Sequence, residues 1–237
     1  MSEKSITDSR PVILAIETSG IGGSVAIVSG SRCLAENTLV SRTTHSRRIL
    51  IEIEQLVSNT GYQWSEIDGL AVSLGPGSFT GLRIGLSTAK GLAMATGKPL
   101  LGVPTLDGLA SQFTFPKHQI CPILDARKQE VYTALYRCAA NGDNIRTGNY
   151  LALKPLALAE RIDQPTIFVG DGIIPYRDIF TEVLGEKAIF APLSLYFPRA
   201  AAIGMLAVKI WQKQDFTDPA LVEPIYVRDS EAKLLFG

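Results

Sequence analysis

An internally duplicated α/β fold with two lobes is what the 237-residue sequence predicts, on three observations. A strand, tight turn, strand unit opens at Val12 and returns at Ile120, each time with an acid near the end of its first strand, Glu17 and then Asp125. Helical and extended patterns alternate after each unit, which calls for parallel strands bridged by helices. With 46% hydrophobic and 19% charged residues, the chain can hide about three quarters of its unfolded surface.

Val12 to Thr18 and Ser24 to Ser29 are apolar runs of strand length. The turn between them, Ser19-Gly20-Ile21-Gly22-Gly23, has glycines that accept positive φ. Arg32 to Val40 adds a third strand. A helix is expected from Thr44 to Asn59, because Ile49, Leu50, Ile53, Leu56 and Val57 recur at helical spacing before Gly61. Ile51 lies off that stripe, where it can touch another chain.

Gly69 to Leu74 is a short apolar strand leading into Gly75-Pro76-Gly77-Ser78-Phe79-Thr80-Gly81. Ser78 or Thr80 can cap the helix that follows, to Thr96. Gly81, Gly85, Ala89, Ala93 and Gly97 fall at successive i+4 positions on it. Such a ribbon admits close approach, either to the chain's own sheet or to a helix of a second subunit, and both readings stay open. Lys98 to Val103 is then a strand and Thr105 to Phe113 a helix. A boundary near Pro104 gives lobes of residues 1–104 and 105–237, with the last segment free to pack back on the first lobe.

In the second lobe Ile120 to Ala126 is a strand, Arg127-Lys128-Gln129 a tight turn and Glu130 to Arg137 a second strand. A third is expected near Thr147 to Leu153. Pro165 to Val169 runs into Gly170-Asp171-Gly172, and Pro198 to Gln212 carries a helical stripe of Ala201, Met205, Leu206, Val208 and Trp211.

Lysine plus arginine, 23, cancels aspartate plus glutamate, 23, which removes the overall footprint of a self-sufficient nucleic-acid binder. Arg42, Arg47 and Arg48 make a local basic cluster, either an RNA-facing edge or a solvated helix start. Cys33, Cys121 and Cys138 lack C-x-x-C spacing and read as structural thiols. The first residues lack a signal-peptide core and no run reaches the ~20 apolar residues of a membrane span. A cytoplasmic protein with no membrane contact is the expectation.

Duplicated strand, turn, strand units of this kind build actin-like and sugar-kinase-like ATPases, in which nucleotide sits between the lobes. Thr18, Ser19 and Ser24 could then hold phosphates, Glu17 and Asp125 could orient a metal-bound water, and Gly170 with Asp171 could approach an adenosine. Glycine turns that merely close hairpins explain the same residues. The Gly75 to Gly81 loop is neither a P-loop, since Leu82-Arg83 follows where Lys-Ser/Thr would stand, nor a dinucleotide fingerprint. It still opens a helix, and a helix N-terminus attracts anions.

Several segments together closely resemble the bacterial TsaB (YeaZ) family. They are Ile16-Glu17-Thr18-Ser19, the run Gly75 to Gly85, Lys90-Gly91-Leu92-Ala93, Asp125-Ala126-Arg127 with Glu130-Val131-Tyr132, Gly170-Asp171-Gly172, and Pro224-Ile225-Tyr226-Val227-Arg228. The resemblance spans nearly the whole chain in order. It implies an actin-like (ASKHA, ribonuclease H-like) duplicated fold shared with a catalytic paralogue, TsaD. It also implies a part in making N6-threonylcarbamoyladenosine next to the anticodon of tRNAs that read codons beginning with adenine. Partners implied are a TsaD-like paralogue, bound through the two helices of the first lobe, a TsaE-like ATPase, and tRNA indirectly. On that basis Ile51, Gly81, Gly85, Ala89 and Ala93 are the candidate partner-binding residues, while Thr18, Ser19, Asp125, Gly170 and Asp171 remain vestigial cofactor candidates.

The paralogue binds its metal through two histidines four residues apart, and Thr105 and Leu109 stand at those positions here. Leucine offers no ligand and threonine a poor one, so neither a metal site nor catalysis is expected. His45 and His118 have no His or Cys at ligand spacing. The expectation is a non-catalytic scaffold that binds no cofactor tightly alone, with ATP or ADP at a complex interface and self-association of the free chain left open. The competing reading is an autonomous ATP-dependent phosphotransferase.

Overall fold

A computed structural model describes residues 10–40, 49–216 and 218–227. Arg42, Thr44, His45, Arg47, Arg48 and Arg228 lie outside the described residues, so the basic cluster and the expected helix start are not placed.

Strands β1 (Val12–Glu17), β2 (Gly22–Ser29), β3 (Arg32–Val40), β4 (Gly69–Ser73) and β5 (Leu100–Val103) form one sheet in the order β3-β2-β1-β4-β5. The hairpin strands pair antiparallel, while β1, β4 and β5 run parallel. Alternate residues of β1 serve two separate cores. Leu14 and Ile16 pack under α1 (Ile49–Thr60) and α2 (Phe79–Thr96), and Ile13 and Ala15 pack under α6 (Ala200–Gln212). A sheet covered on both faces has continuous apolar strands, which is why β1 and β2 show no polar alternation.

Helix α2 starts where Ser78 Oγ accepts from Gly81 N at 3.3 Å and stops at Gly97, whose φ of 67° is left-handed. Helix α6 comes late in the sequence yet roofs the first sheet, with Ile203 and Ala207 fully buried. Beyond it the chain crosses to the α2 side. There Val222 enters the core, Ile225 N donates to Leu74 O at 2.7 Å, and the Tyr226 ring lies 5.9 Å from that of Phe79.

The second sheet runs β10-β7-β6-β11-β12, with β8 joining β6 to β9. The strand expected over Glu130 to Arg137 is divided into β7 (Val131–Thr133) and β8 (Tyr136–Cys138), which pair with different stretches of β6 (Gln119–Asp125). Likewise the third strand shortens to β10 (Leu151–Leu153), and β9 (Asn144–Arg146) makes a separate hairpin with β8. Helix α3 (Thr105–Ala110) ends earlier than expected. The sequence patterns did not announce α4 (Pro155–Ala159), α5 (Ile173–Leu184) or β12 (Ala188–Phe190), which follows β11 (Thr166–Val169) in the sheet. Phe168, Ile173 and Phe180 anchor α5 in a core that also holds Leu106, Leu109 and Tyr136.

Candidate functional site

The carboxyl end of β1 is where an open α/β sheet receives ligands, and here the chain's own atoms fill it. Thr18 Oγ1 donates to Gly81 O at 2.8 Å, Ser78 N donates to Ser19 O at 2.7 Å, and Ser19 N donates to Glu17 Oε1. A Cβ on Gly77 would come 2.5 Å from Ser19 O. One on Gly81 would overlap Thr18 O, and one on Gly85 would overlap Thr18 Oγ1. The small residues therefore let α2 lie directly on the turn after β1, and the amide that could meet a phosphate at the mouth of α2 already serves Ser19. Thr18 and Ser19 are both buried, and the Thr18 hydroxyl is taken by Gly81 O.

That packing corrects the assignment of Gly81, Gly85, Ala89 and Ala93 as partner contacts. All four are buried against the chain's own sheet. The physical reason is that only glycine fits against Thr18 at Gly81 and Gly85, while Ala89 and Ala93 pack into the core below. Ile51, by contrast, is 54% exposed, beside Leu50. The outward side of α2 presents Arg83, Ser87, Gly91, Met94 and Ala95. Met94 is 81% exposed and a Cβ on Gly91 would meet nothing within 4 Å. A sequence signal for this face existed, because Ser87, Gly91 and Ala95 also recur every four residues.

Glu17 is buried, and burial pushes its carboxyl above the usual range, against weaker downward pulls from Ser19 and Ser73.

In the second lobe, Asp125 N donates to Asp171 Oδ1 at 3.0 Å. Arg127 N donates to Asp125 Oδ1 at 2.9 Å, while its guanidinium reaches Oδ2 at 3.3 Å. Gly172 N donates to Ile123 O at 3.0 Å, and a Cβ on Gly170, at φ 120°, would overlap that oxygen. Burial raises the Asp171 pKa more than the Asp125 amide lowers it. Asp125, Gly170 and Asp171 thus form one hydrogen-bonded corner, bonded separately from Thr18 and Ser19. The turn beside it holds Arg127, Lys128 and Gln129 at φ of 60°, 51° and 60°. Left-handed backbone costs non-glycine residues about 1–2 kcal/mol each, offset here by Ala126 N donating to Glu130 O at 2.9 Å and by the Asp125 contacts.

Thr105 and Leu109 are both fully buried. Among the described residues no group of three or more His, Cys, Asp or Glu side chains is placed to hold a metal ion, and no helix is long and apolar enough to cross a membrane. Away from these strand ends, an open groove of about 1020 Å³ runs between α6 and the β8–β9 hairpin. Its rim carries the Arg199–Glu36 and Lys209–Asp143 ion pairs.

Residues 34–236 match the family model of TsaD, tRNA N6-adenosine threonylcarbamoyltransferase. The tRNA threonylcarbamoyladenosine biosynthesis protein TsaB of Escherichia coli (strain K12) is 31% identical over 226 residues, 93% of this chain and 96% of that protein. The chain belongs to the TsaB (YeaZ) family. TsaB of Bacillus subtilis (strain 168) is 29% identical over 224 residues, again 93% of this chain and 96% of its own. YeaZ from Pseudomonas aeruginosa superposes with a TM-score of 0.76 at 27% identity, over 91% of this chain and 99% of that one. The fold of this TsaB-family chain is accordingly the actin-like (ASKHA) one.

Proposed function

We propose that the chain is a non-catalytic subunit in the biosynthesis of N6-threonylcarbamoyladenosine in tRNA, acting by binding a TsaD-like catalytic paralogue. The pathway is the one for which its TsaB relatives are named. The observation that carries the binding role is the outward side of α1 and α2. Leu50 and Ile51 on α1 and Met94 on α2 stand about half exposed or more, Met94 on the same side of its helix as the small residues Ser87, Gly91 and Ala95. Exposed apolar groups beside a flat, small-residue ridge suit a helix of another protein, because backbones can approach closely there and bury the flanking side chains.

The non-catalytic role is supported by Thr105 and Leu109 at the positions of the paralogue's histidines and by the packing of α2 onto the Thr18–Ser19 turn. A TsaE-like ATPase joins the pair, tRNA is met through the complex in the cytoplasm, and ATP or ADP lodges only where subunits meet. The near-zero net charge fits RNA affinity supplied by other subunits.

The test is co-purification with a matched TsaD-like protein and assay of tRNA modification. The chain should associate and raise the partner's activity, and Met94→Glu or Gly91→Arg should abolish association with circular dichroism unchanged and Tm not lowered. Loss of neither association nor stimulation in both variants refutes the assigned face. Tight magnesium-ATP binding with turnover by the isolated chain would favour the phosphotransferase instead.

A further inference from the structure

Four buried oxygens at the carboxyl ends of the first sheet's parallel strands have no hydrogen-bond partner: Glu17 Oε2, Ser19 Oγ, Ser73 Oγ and Thr105 Oγ1. Their residues are at most 3% exposed. The register brings them together. Ile16 pairs with Val72 across β1 and β4, so Glu17 and Ser73 follow side by side. Ser73 in turn pairs with Val103 on β5, and Thr105 opens α3 two residues later, its N donating to Gly75 O at 2.8 Å. Ile13, Ala15, Ala71 and Val103 point to the α6 side, and the two-residue period puts Glu17 and Ser73 there also. Ser19 and Ser73 lie near enough to Glu17 for their hydroxyls to favour its carboxylate form, yet neither bonds it with good geometry.

Native proteins rarely leave even one such atom unpaired, and a buried polar cluster is the usual place for internal water. We propose that the crevice between the strand ends and α6 is an internal hydration site, in which ordered water bridges Glu17, Ser19, Ser73 and Thr105. The position where open α/β sheets take substrate would then be sealed and solvated from within. Each hydroxyl gains an acceptor and a donor, and Glu17 keeps a hydrogen-bond partner without a counter-ion.

Thr105→Val and Ser73→Ala test this through the sign of their effect on the full chain. In a hydrated site each removes a water's partner, and Tm falls by about 2–4 °C. In a dry site each removes an orphaned group, and Tm rises. Unfolding in sodium, potassium and choline chloride at equal ionic strength should agree within error, whereas a rise specific to one metal ion overturns water in favour of a bound cation. An atomic-resolution crystal structure of the unaltered chain decides independently of whether the variants fold. Solvent density within hydrogen-bond distance of at least three of the four oxygens is expected, and none there refutes the site.

Discussion

Gly81→Ala should unfold the chain far more readily, whereas the same change ten residues along α2, at Gly91, should not. At Gly81 the new methyl would overlap Thr18 O, so α2 or the turn after β1 must move apart. That movement strains or breaks two bonds, Thr18 Oγ1 to Gly81 O at 2.8 Å and Ser78 N to Ser19 O at 2.7 Å. Two hydrogen bonds of about 1 kcal/mol each and an overpacking cost of roughly 1–3 kcal/mol oppose a helix-propensity gain near 1 kcal/mol. The net is about 2–4 kcal/mol, or a Tm lower by ~5–15 °C in a chain of this size. At Gly91 the methyl meets nothing within 4 Å, which leaves the propensity gain and a Tm higher by ~2–4 °C. Thermal unfolding followed by circular dichroism measures both. A Gly81→Ala protein melting within 2 °C or so of the parent would refute the view that the inner ribbon is an intrachain seam.

Other expected outcomes rest on single groups. Glu17 has a raised pKa in the fold, so the unfolded chain ionises first, above the ordinary value of 4.5, and stability is lost as pH climbs from there through the folded value. Glu17→Gln should therefore gain stability over the parent at neutral pH and lose that advantage below 4.5, and urea titrations showing a pH-independent difference would contradict the assignment. Burial pushes the Cys121 thiol up to about 12 while Cys33 is exposed, so a maleimide should label Cys33 in the native chain and reach Cys121 only after unfolding. Val222→Ala, in the segment that crosses back onto the first core, should cost about 1–2 kcal/mol by denaturant titration. No loss would mean that this segment contributes nothing to the lobe's stability.

Much of the first lobe was legible because its periods are unambiguous. Ile49, Ile53, Leu56 and Val57 are the buried stripe of α1, and the glycine and alanine ribbon of α2 follows the expected helix to Thr96. What periodicity could not say is which neighbour each stripe meets. The inner ribbon was open to two readings, and only the position of Thr18 decided between them. The roofing of the first sheet by α6 is a long-range pairing with no local signature. In the second lobe, Glu130 to Arg137 reads as one strand because no glycine or proline interrupts its largely apolar run, yet Ala134 and Leu135 fall outside both strands, and β7 and β8 pair with opposite ends of β6. The turn at Arg127, Lys128 and Gln129 was expected, but not its left-handed backbone, because it lacks the glycine or asparagine that signals one. Ser73 and Thr105 were hidden for the opposite reason, since isolated hydroxyls in apolar strands carry no pattern.

The two lobes show how one inherited plan can diverge by packing alone. In the first, a helix with a glycine seam presses onto the turn after the opening strand, so the Thr18 hydroxyl and the Ser19 carbonyl bond to the start of α2. In the second, α5 follows Gly170-Asp171-Gly172, and the corresponding turn is held by carboxylates instead, Asp171 on the Asp125 amide and Asp125 on Arg127. Both ends therefore gain rigidity from the very groups that a phosphate would need. A flank held by such a cleft keeps Leu50, Ile51 and Met94 in fixed relation, since α1 and α2 pack on one core. Preorganised surfaces lose less entropy on docking, so closing the cleft and presenting the helical face are two consequences of the same packing.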